Sequence, residues 1–448
     1  RMVVSKEPLL DPPPQPQGAS VVGAALSLTK TCIGTGVLAL PYGFVQGGAL
    51  AIPALIALGL WNWWTSILLL NARAELLSRA SVADASSSEG ASTYSLLSRA
   101  GLGVTGQWLS DGTLIVMLLG VCISLQIQAA ALVAHACDLD YALCVGIAAL
   151  VLLPLVLQRT ISKLARVSIV GLVVLAFGLA VVATYGALTY GWPAAREPLA
   201  LPSMPRFAEF FGIASFSFGL QSTLLSVQDG MEQPALAPRA VAYALSGVVG
   251  AYALVGVLLS QVFAPAGVEQ MIILNLPAES PMATIVILCS ATVAVLSLPL
   301  PLFPLVELMQ MHLERIAPPP RRESHESLEQ YSARRPVALR LTILALTTVC
   351  ASVLKQFASL AGFIGCLGIV TSQLLPPLLH LQICTWPAAV AGGGSCGGGV
   401  GNGLGAGGGG GWVRYGWVAL DVVLAALGGV SFVYFTVLTG WKLAASGV

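Results

Sequence analysis

Charge is what this 448-residue chain has least of. Only 9% of its residues are Asp, Glu, Lys or Arg, against about 25% in a soluble domain. With 56% hydrophobic residues and a mean hydropathy of +0.85, a water-soluble core has no way to enclose the apolar surface, which excludes a large soluble globular protein. The net charge of +1 and the lack of a basic patch exclude nucleic acid as a partner. Cysteine pairing is missing too. Cys32, Cys122, Cys137, Cys144, Cys289, Cys350, Cys366, Cys384 and Cys396 stand as singletons, so neither a zinc site nor a disulfide framework is indicated. No HExxH or similar set of paired His, Asp or Glu lies in the apolar runs, so neither an enzyme nor a cofactor or metal site is expected. The first twenty residues have no charged region followed by an apolar one, and no cleaved signal peptide is expected. What is left is a polytopic protein of the lipid bilayer.

A span needs about 20 mostly apolar residues, and the runs predict an all-α protein of about 11 transmembrane helices. The first five are Val21–Phe44, Ala49–Leu70, Leu109–Ala134, Tyr141–Leu157 and Leu164–Tyr190. The next six are Phe207–Val227, Val241–Phe263, Met282–Leu308, Val337–Leu354, Phe357–Leu381 and Val413–Thr439. Residues 1–20 form a disordered tail in which Pro12, Pro13, Pro14 and Pro16 block helix. Two stretches read as spacers: Ser81–Thr93, rich in Ser and Ala, and the linker 392–411, with 14 of its 20 residues glycine. Loop Ala317–Pro336 is proline-rich, charged and expected to be mobile. Placing the N-terminus in the cytosol puts 16 of the 21 Lys and Arg on that side and 4 on the other, as the positive-inside rule requires.

Two of the runs are interrupted. Gly34-Thr35-Gly36 lies in the middle of the first, with Pro41 just beyond, and Ala214-Ser-Phe-Ser-Phe-Gly219 lies in the sixth. A broken helix survives in a bilayer only when it is buried in protein or lines a cavity. Breaks five spans apart are the pattern of two five-span repeats, each opening with a discontinuous helix; residues 21–190 form the first repeat, 207–383 the second, and 413–440 an added eleventh helix. Amides at a half-helix N-terminus attract an anion and carbonyls at a half-helix C-terminus attract a cation. A zwitterion with both charges on one carbon fits such a pair, so the breaks predict a carrier for a small amino-acid-like solute.

Leu28-Thr-Lys-Thr-Cys-Ile-Gly-Thr-Gly-Val-Leu-Ala-Leu-Pro-Tyr42, followed by Gly47-Gly48, resembles the first span of the amino acid/auxin permease superfamily. Within it, the sequence looks most like the proton-coupled amino acid transporter and vacuolar amino acid exporter branch. Phe216-Ser-Phe-Gly-Leu-Gln-Ser-Thr-Leu-Leu-Ser-Val-Gln-Asp-Gly-Met-Glu-Gln-Pro234 is similar to that branch's sixth span. Ile272-Ile-Leu-Asn-Leu-Pro277 and Leu374-Leu-Pro-Pro-Leu-Leu-His-Leu381 match later motifs in the same order. The resemblance implies eleven spans, the five-plus-five inverted-repeat fold and alternating access. It departs at Ser27, where animal members have His, and at Gly219, where they have an acid. Thr31 and Cys32 stand where sodium-coupled relatives have an Asn, so no sodium site is expected.

The expected substrate-binding set is Thr31, Gly34, Thr35, Gly36, Ser215, Phe216, Phe218 and Gly219. The amides of residues 34–36 hold the carboxylate, carbonyls around Ser215–Phe218 hold the ammonium, and Phe216 or Phe218 serves as a thin gate. Lys30, one turn before Gly34, and Asp229, at the end of the sixth span, are the coupling or gating candidates, since charges inside spans are costly and usually functional. Glu209, Asp111, Glu307 and Asp421 are read as solvated or structural, His312, His325 and His380 as solvated, and His135 as structural. The expected function is proton-coupled transport of small neutral amino acids by alternating access. A sensor that binds amino acids without flux is the second hypothesis. Glu7-Pro-Leu-Leu10 resembles a dileucine signal with Ser5 at its usual acidic position, pointing to a vacuolar or lysosomal membrane rather than the plasma membrane.

Overall fold

The computed structural model describes residues 18–79, 93–157, 162–192, 200–316, 325–385 and 410–445. Most of the expected tail, the Ser81–Thr93 spacer and the 392–411 linker lie outside the described residues, as do residues 317–324. Helices dominate what is described, because backbone in hydrocarbon has to pair its own N–H and C=O groups.

The first apolar run forms α1 (Val21–Cys32), a 3-10 turn (Thr35–Ala39) and α2 (Leu40–Gly47). Then come α3 (Ala51–Arg79), α4 (Thr93–Cys137), α5 (Tyr141–Leu157) and α6 (Ser162–Tyr190). The sixth run is again divided, into α7 (Met204–Ser217) and α8 (Gln221–Asp229), before α9 (Ala237–Val262). The remainder comprises α10 (Pro281–Ser297), α11 (Pro299–Ile316), α12 (His325–Val353), α13 (Phe357–Ile369), α14 (Leu375–His380) and α15 (Gly410–Ala445). Among the described residues, eight helical segments are long and apolar enough to cross a membrane, and three shorter apolar helices accompany them: Val21–Cys32, Tyr141–Leu157 and Val337–Val353.

Several boundaries differ from those expected. Helix α3 continues past Leu70 to Arg79, and α12 begins at His325 rather than Val337, so part of the expected mobile loop is helical. Helix α4 begins at Thr93, well before Leu109, and is not straight. Gly103 takes φ 68°, ψ −159°, a backbone that side chains other than glycine's strongly disfavour. A continuous helix would set Ser95 and Asp111 about 24 Å apart, yet Ser95 Oγ donates to Asp111 Oδ2 at 2.9 Å. The chain therefore folds back at Gly103, laying the Thr93–Leu102 turn against the start of the third span. Between Val353 and Phe357 the helix stops, so the ninth and tenth runs are separate helices.

The helix α13–α14 run is the most enclosed: 78% of its apolar window is buried, against 17% for α15. Helices α7 and α13 meet backbone to backbone, since a Cβ on Gly212 or Gly365 would overlap the facing main chain. Large apolar side chains point outward elsewhere, with Leu188 83% and Leu150 70% exposed. Such a surface fits lipid rather than water. The chain is a multi-pass integral membrane protein.

Candidate functional site

The first and sixth runs break beside each other. At the first break Ile33 takes ψ 83° and Gly34 φ −125°, ψ −148°. Helix geometry is lost there and restarts with the 3-10 turn; Pro41, which lacks an N–H, is accommodated in the first turn of α2. At the sixth, Phe218 (φ −93°, ψ 25°) ends α7, and α8 resumes at Gln221.

The glycines at the breaks divide into two kinds. A Cβ on Gly36 would lie 2.5 Å from Ser217 Oγ and 3.2 Å from Phe216 Cδ1, so Gly36 is the contact through which one broken helix packs on the other. Gly34 faces open space, with nothing within 4 Å of such a Cβ, and Gly219 meets only the Phe216 carbonyl oxygen at 3.8 Å. Gly34 and Gly219 are therefore the glycines of the two breaks with free space beside them, and the Phe216 carbonyl lies next to Gly219. Among the described residues, neither the Gly36 amide nor the Phe216 carbonyl has a backbone partner. Ser215 Oγ and Gln221 Oε1 are buried without a partner among the described residues.

Tyr252 of α9, fully buried, ties the two breaks together. Its hydroxyl lies 2.6 Å from the Cys32 carbonyl and 2.8 Å from the Ser217 carbonyl, and its ring packs edge-on against Phe218, centroids 5.5 Å apart. One hydroxyl proton thus serves two carbonyls at the interrupted helices, of which Cys32's also accepts from the Gly34 amide at 2.8 Å. Gln221 anchors α8 to α3, donating from Nε2 to Asn62 Oδ1 at 2.7 Å, and Asn62 Nδ2 donates to the Leu58 carbonyl at 2.8 Å.

The ends of the broken segments are also joined. At one end the Ala19 amide donates to the Gly230 carbonyl at 2.7 Å, and the Glu232 amide to the Ala19 carbonyl at 3.1 Å. Arg73 of α3 reaches the same place: it pairs with Asp229 and donates to the Leu225 carbonyl at 3.0 Å and Gln228 Oε1 at 2.8 Å. At the other end Arg206 Nε donates to Gln46 Oε1 at 2.8 Å.

The expected site residues fall out as follows. Gly34, Gly36, Ser215, Phe216, Phe218 and Gly219 converge at the junction; the backbone of Thr35 belongs to it, and its side chain lies outside the described residues. Thr31 is exposed and back-bonds to the Ser27 carbonyl at 3.0 Å. Phe218 is 1% exposed, which leaves the partly buried Phe216 as the more accessible of the two rings. Lys30 is partly buried and has no ion-pair partner among the described residues; Asp229 pairs with Arg73, not with Lys30.

Two histidines expected to be solvated are buried, and three carboxylates read as solvated or structural are buried with partners. His312 and His380 are buried, and each lies 2.8 Å from a buried carboxylate, Asp111 and Asp421 respectively. Glu209 is 2% exposed, pairs with Lys442 and accepts from Ser359 Oγ at 3.1 Å. These groups sit near the span ends, as expected, but extra helical turns and side-chain partners cover them. His135 Nε2 lies 3.0 Å from the Leu276 carbonyl. Sequence reasoning passed over Tyr252, Asn62 and Gln221 as site residues. Their one signal was polarity within apolar runs; Asn62, Thr65 and Ser66 recur on one helical face.

The family described as "Transmembrane amino acid transporter protein" matches residues 17–392. Vacuolar amino acid transporter 3 of Schizosaccharomyces pombe is 26% identical over 82% of this chain and 54% of its own length. Vacuolar amino acid transporter 4 of Saccharomyces cerevisiae is 25% identical over 80% and 52%, and amino acid transporter AVT1D of Arabidopsis thaliana 23% over 83% and 65%. The chain spans about half the length of the fungal relatives it matches. Among solved structures, MhsT in complex with L-phenylalanine overlaps at a TM-score of 0.47 and 11% identity, covering 92% of this chain and all of that one. A sodium-coupled sialic acid symporter overlaps at 0.44 and 13%, covering 95% and 94%.

Proposed function

Because the chain belongs to the transmembrane amino acid transporter family, we propose that it carries small neutral amino acids across a membrane by alternating access, coupled to protons. The observation that carries this reading is the junction: two broken helices held together by Tyr252, with free space beside Gly34 and Gly219 and a Phe216 carbonyl that has no backbone partner among the described residues. The substrate carboxylate sits at the Thr35 and Gly36 amides that open the second half of the first helix, where the helix dipole favours negative charge; the Gly34 amide already donates to the Cys32 carbonyl at 2.8 Å. The ammonium sits at the carbonyl end of α7, on the Phe216 oxygen, since the Ser217 carbonyl already accepts from Tyr252. Ser215 Oγ supplies a further hydrogen bond, and the ring of Phe216 closes over the ligand.

Alternating access needs hinges at the breaks and contacts that open in turn at the two ends. Gly34 and Gly219 are the hinges. The strand-like pairing of Ala19 with residues 230–232 and the Arg73–Asp229 pair form one gate, and the Arg206–Gln46 bond forms part of the other. In this reading the fold has eleven spans in a five-plus-five arrangement and its N-terminus is cytosolic, which the distribution of Lys and Arg supports, so the first gate faces the cytosol. The dileucine-like Glu7-Pro-Leu-Leu10 and the vacuolar relatives support a vacuolar membrane. Uptake of radiolabelled amino acids into proteoliposomes under an imposed pH gradient tests the proposal; binding without flux would make the protein a sensor.

A further inference from the structure

A second polar centre lies away from the helix breaks. Asp111, on α4, is fully buried, and its Oδ2 accepts from Ser95 Oγ at 2.9 Å and lies 2.8 Å from Nε2 of His312, on α11. Gln107 Nε2 donates to Ser95 Oγ at 3.0 Å, and the Trp108 ring lies over the imidazole, centroids 4.4 Å apart. Two atoms in this centre lack partners among the described residues: Asp111 Oδ1 and His312 Nδ1, both buried. The Thr93–Leu102 turn, folded back at Gly103, forms the cover. Gly101 packs on Leu379 and Ile383, and Tyr94 Oη donates to the Thr371 carbonyl at 2.6 Å.

The chemistry follows from counting charge. With a neutral imidazole donating from Nε2, the pair carries one buried negative charge, and a buried charge without full compensation is costly. Adding one proton at the bare Nδ1 forms an N–H bond with the imidazole lone pair and turns the pair into an imidazolium–carboxylate of zero net charge. The neighbouring titratable and charged groups are engaged or exposed. On α11, Glu307, Glu314 and Arg315 are exposed, as is Arg99 on α4. His380 of α14 pairs with Asp421 of α15, Arg340 of α12 lies over the Phe303 ring, and Asp229 of α8 pairs with Arg73 of α3. Cys289 of α10 is exposed, and Cys366 of α13 is a buried thiol.

We propose that Asp111 and His312 form a proton-binding site, loaded while the Thr93–Leu102 turn covers it and exchanging with water when that turn lifts. Its consequence for transport rests on the transporter reading; its protonation does not. Trp108 gives a direct readout, because an imidazolium against an indole quenches its fluorescence. With the full chain in lipid nanodiscs, titrated between about pH 4 and 9, the difference between wild type and Trp108→Phe should show a reversible quench that is lost in His312→Gln. No pH-dependent difference, or one that persists in His312→Gln, overturns the site.

In proteoliposomes, Asp111→Asn should lower gradient-driven accumulation about tenfold more than it lowers exchange at equal pH. Equal losses overturn the coupling role. Where Asp111→Asn fails to insert, His312→Gln carries the same comparison. A wild-type quench without any flux contradicts the transporter reading and leaves the proton site standing.

Discussion

The Tyr252 hydroxyl lies 2.6 Å from the Cys32 carbonyl, and the same oxygen lies 2.8 Å from the Ser217 carbonyl. A side chain on the seventh apolar run therefore fixes the spacing between the breaks in the first and sixth. Interrupted helices leave carbonyls that hydrocarbon cannot satisfy, and here a phenol reaches two of them; the Cys32 carbonyl also accepts from the Gly34 amide, so the Ser217 carbonyl depends on the phenol. Tyr252→Phe removes the only hydrogen-bonding group of that side chain while keeping the ring on Phe218. Unpairing a buried carbonyl costs about 1–3 kcal/mol. The variant should melt at lower temperature in detergent and bind substrate more weakly, and an unchanged melting curve would show that the contact is not structural.

Gly34 and Gly36, two residues apart, should respond differently to alanine. Gly36→Ala drives a methyl into Ser217 Oγ, 2.5 Å from the new Cβ, and should lower the yield of folded protein. Gly34→Ala meets nothing within 4 Å and should fold normally. Its methyl enters the free space beside the first break, so KM should rise with expression unchanged. Size-exclusion profiles together with uptake kinetics separate the two effects.

The Arg73–Asp229 pair joins a 12%-exposed guanidinium to a half-exposed carboxylate. Exposed pairs contribute about 0–1 kcal/mol, so Asp229→Asn should hardly change the melting temperature. It should shift the gate instead: a Thr31→Cys probe, at the junction end of α1 beyond that gate, should react faster with a water-soluble maleimide when Asp229 is Asn. Unchanged labelling would remove Asp229 from the gate.

Glu209 and Lys442 join α7 to the last helix, and Glu209 is 2% exposed. Removing one partner of a buried pair costs about 3–5 kcal/mol, because the other charge is left uncompensated. Lys442, one-third exposed, places Lys442→Met near the lower end of that range. The double variant Glu209→Gln with Lys442→Met should recover much of the loss, which thermal melts of the three variants will show.

What the sequence disclosed and what it hid follow from the physics of a bilayer. Hydropathy located the apolar runs, because crossing hydrocarbon demands a composition visible within about 20 residues. Gly34, Gly36 and Gly219 exposed the breaks, since glycine in an apolar helix has few uses other than close packing or interruption. The division of labour between Gly34 and Gly36 was not legible, because it depends on where Ser217 arrives from another helix. Tyr252 was hidden for the same reason. His312 and His380 were read as solvated from their positions near span ends, but burial there is set by the fold-back at Gly103 and by α15, neither of which is a local property. Asp229 found Arg73 instead of Lys30 because α3 continues beyond Leu70 and carries Arg73, three residues on, to it.

Transport itself is tested most directly by loading purified protein into proteoliposomes and following radiolabelled alanine under an imposed pH gradient. A proton-coupled carrier should accumulate alanine, lose that accumulation when a protonophore dissipates the gradient, and accumulate less in Gly34→Ala. Binding of alanine with no flux in either direction, at any gradient, would contradict coupled transport.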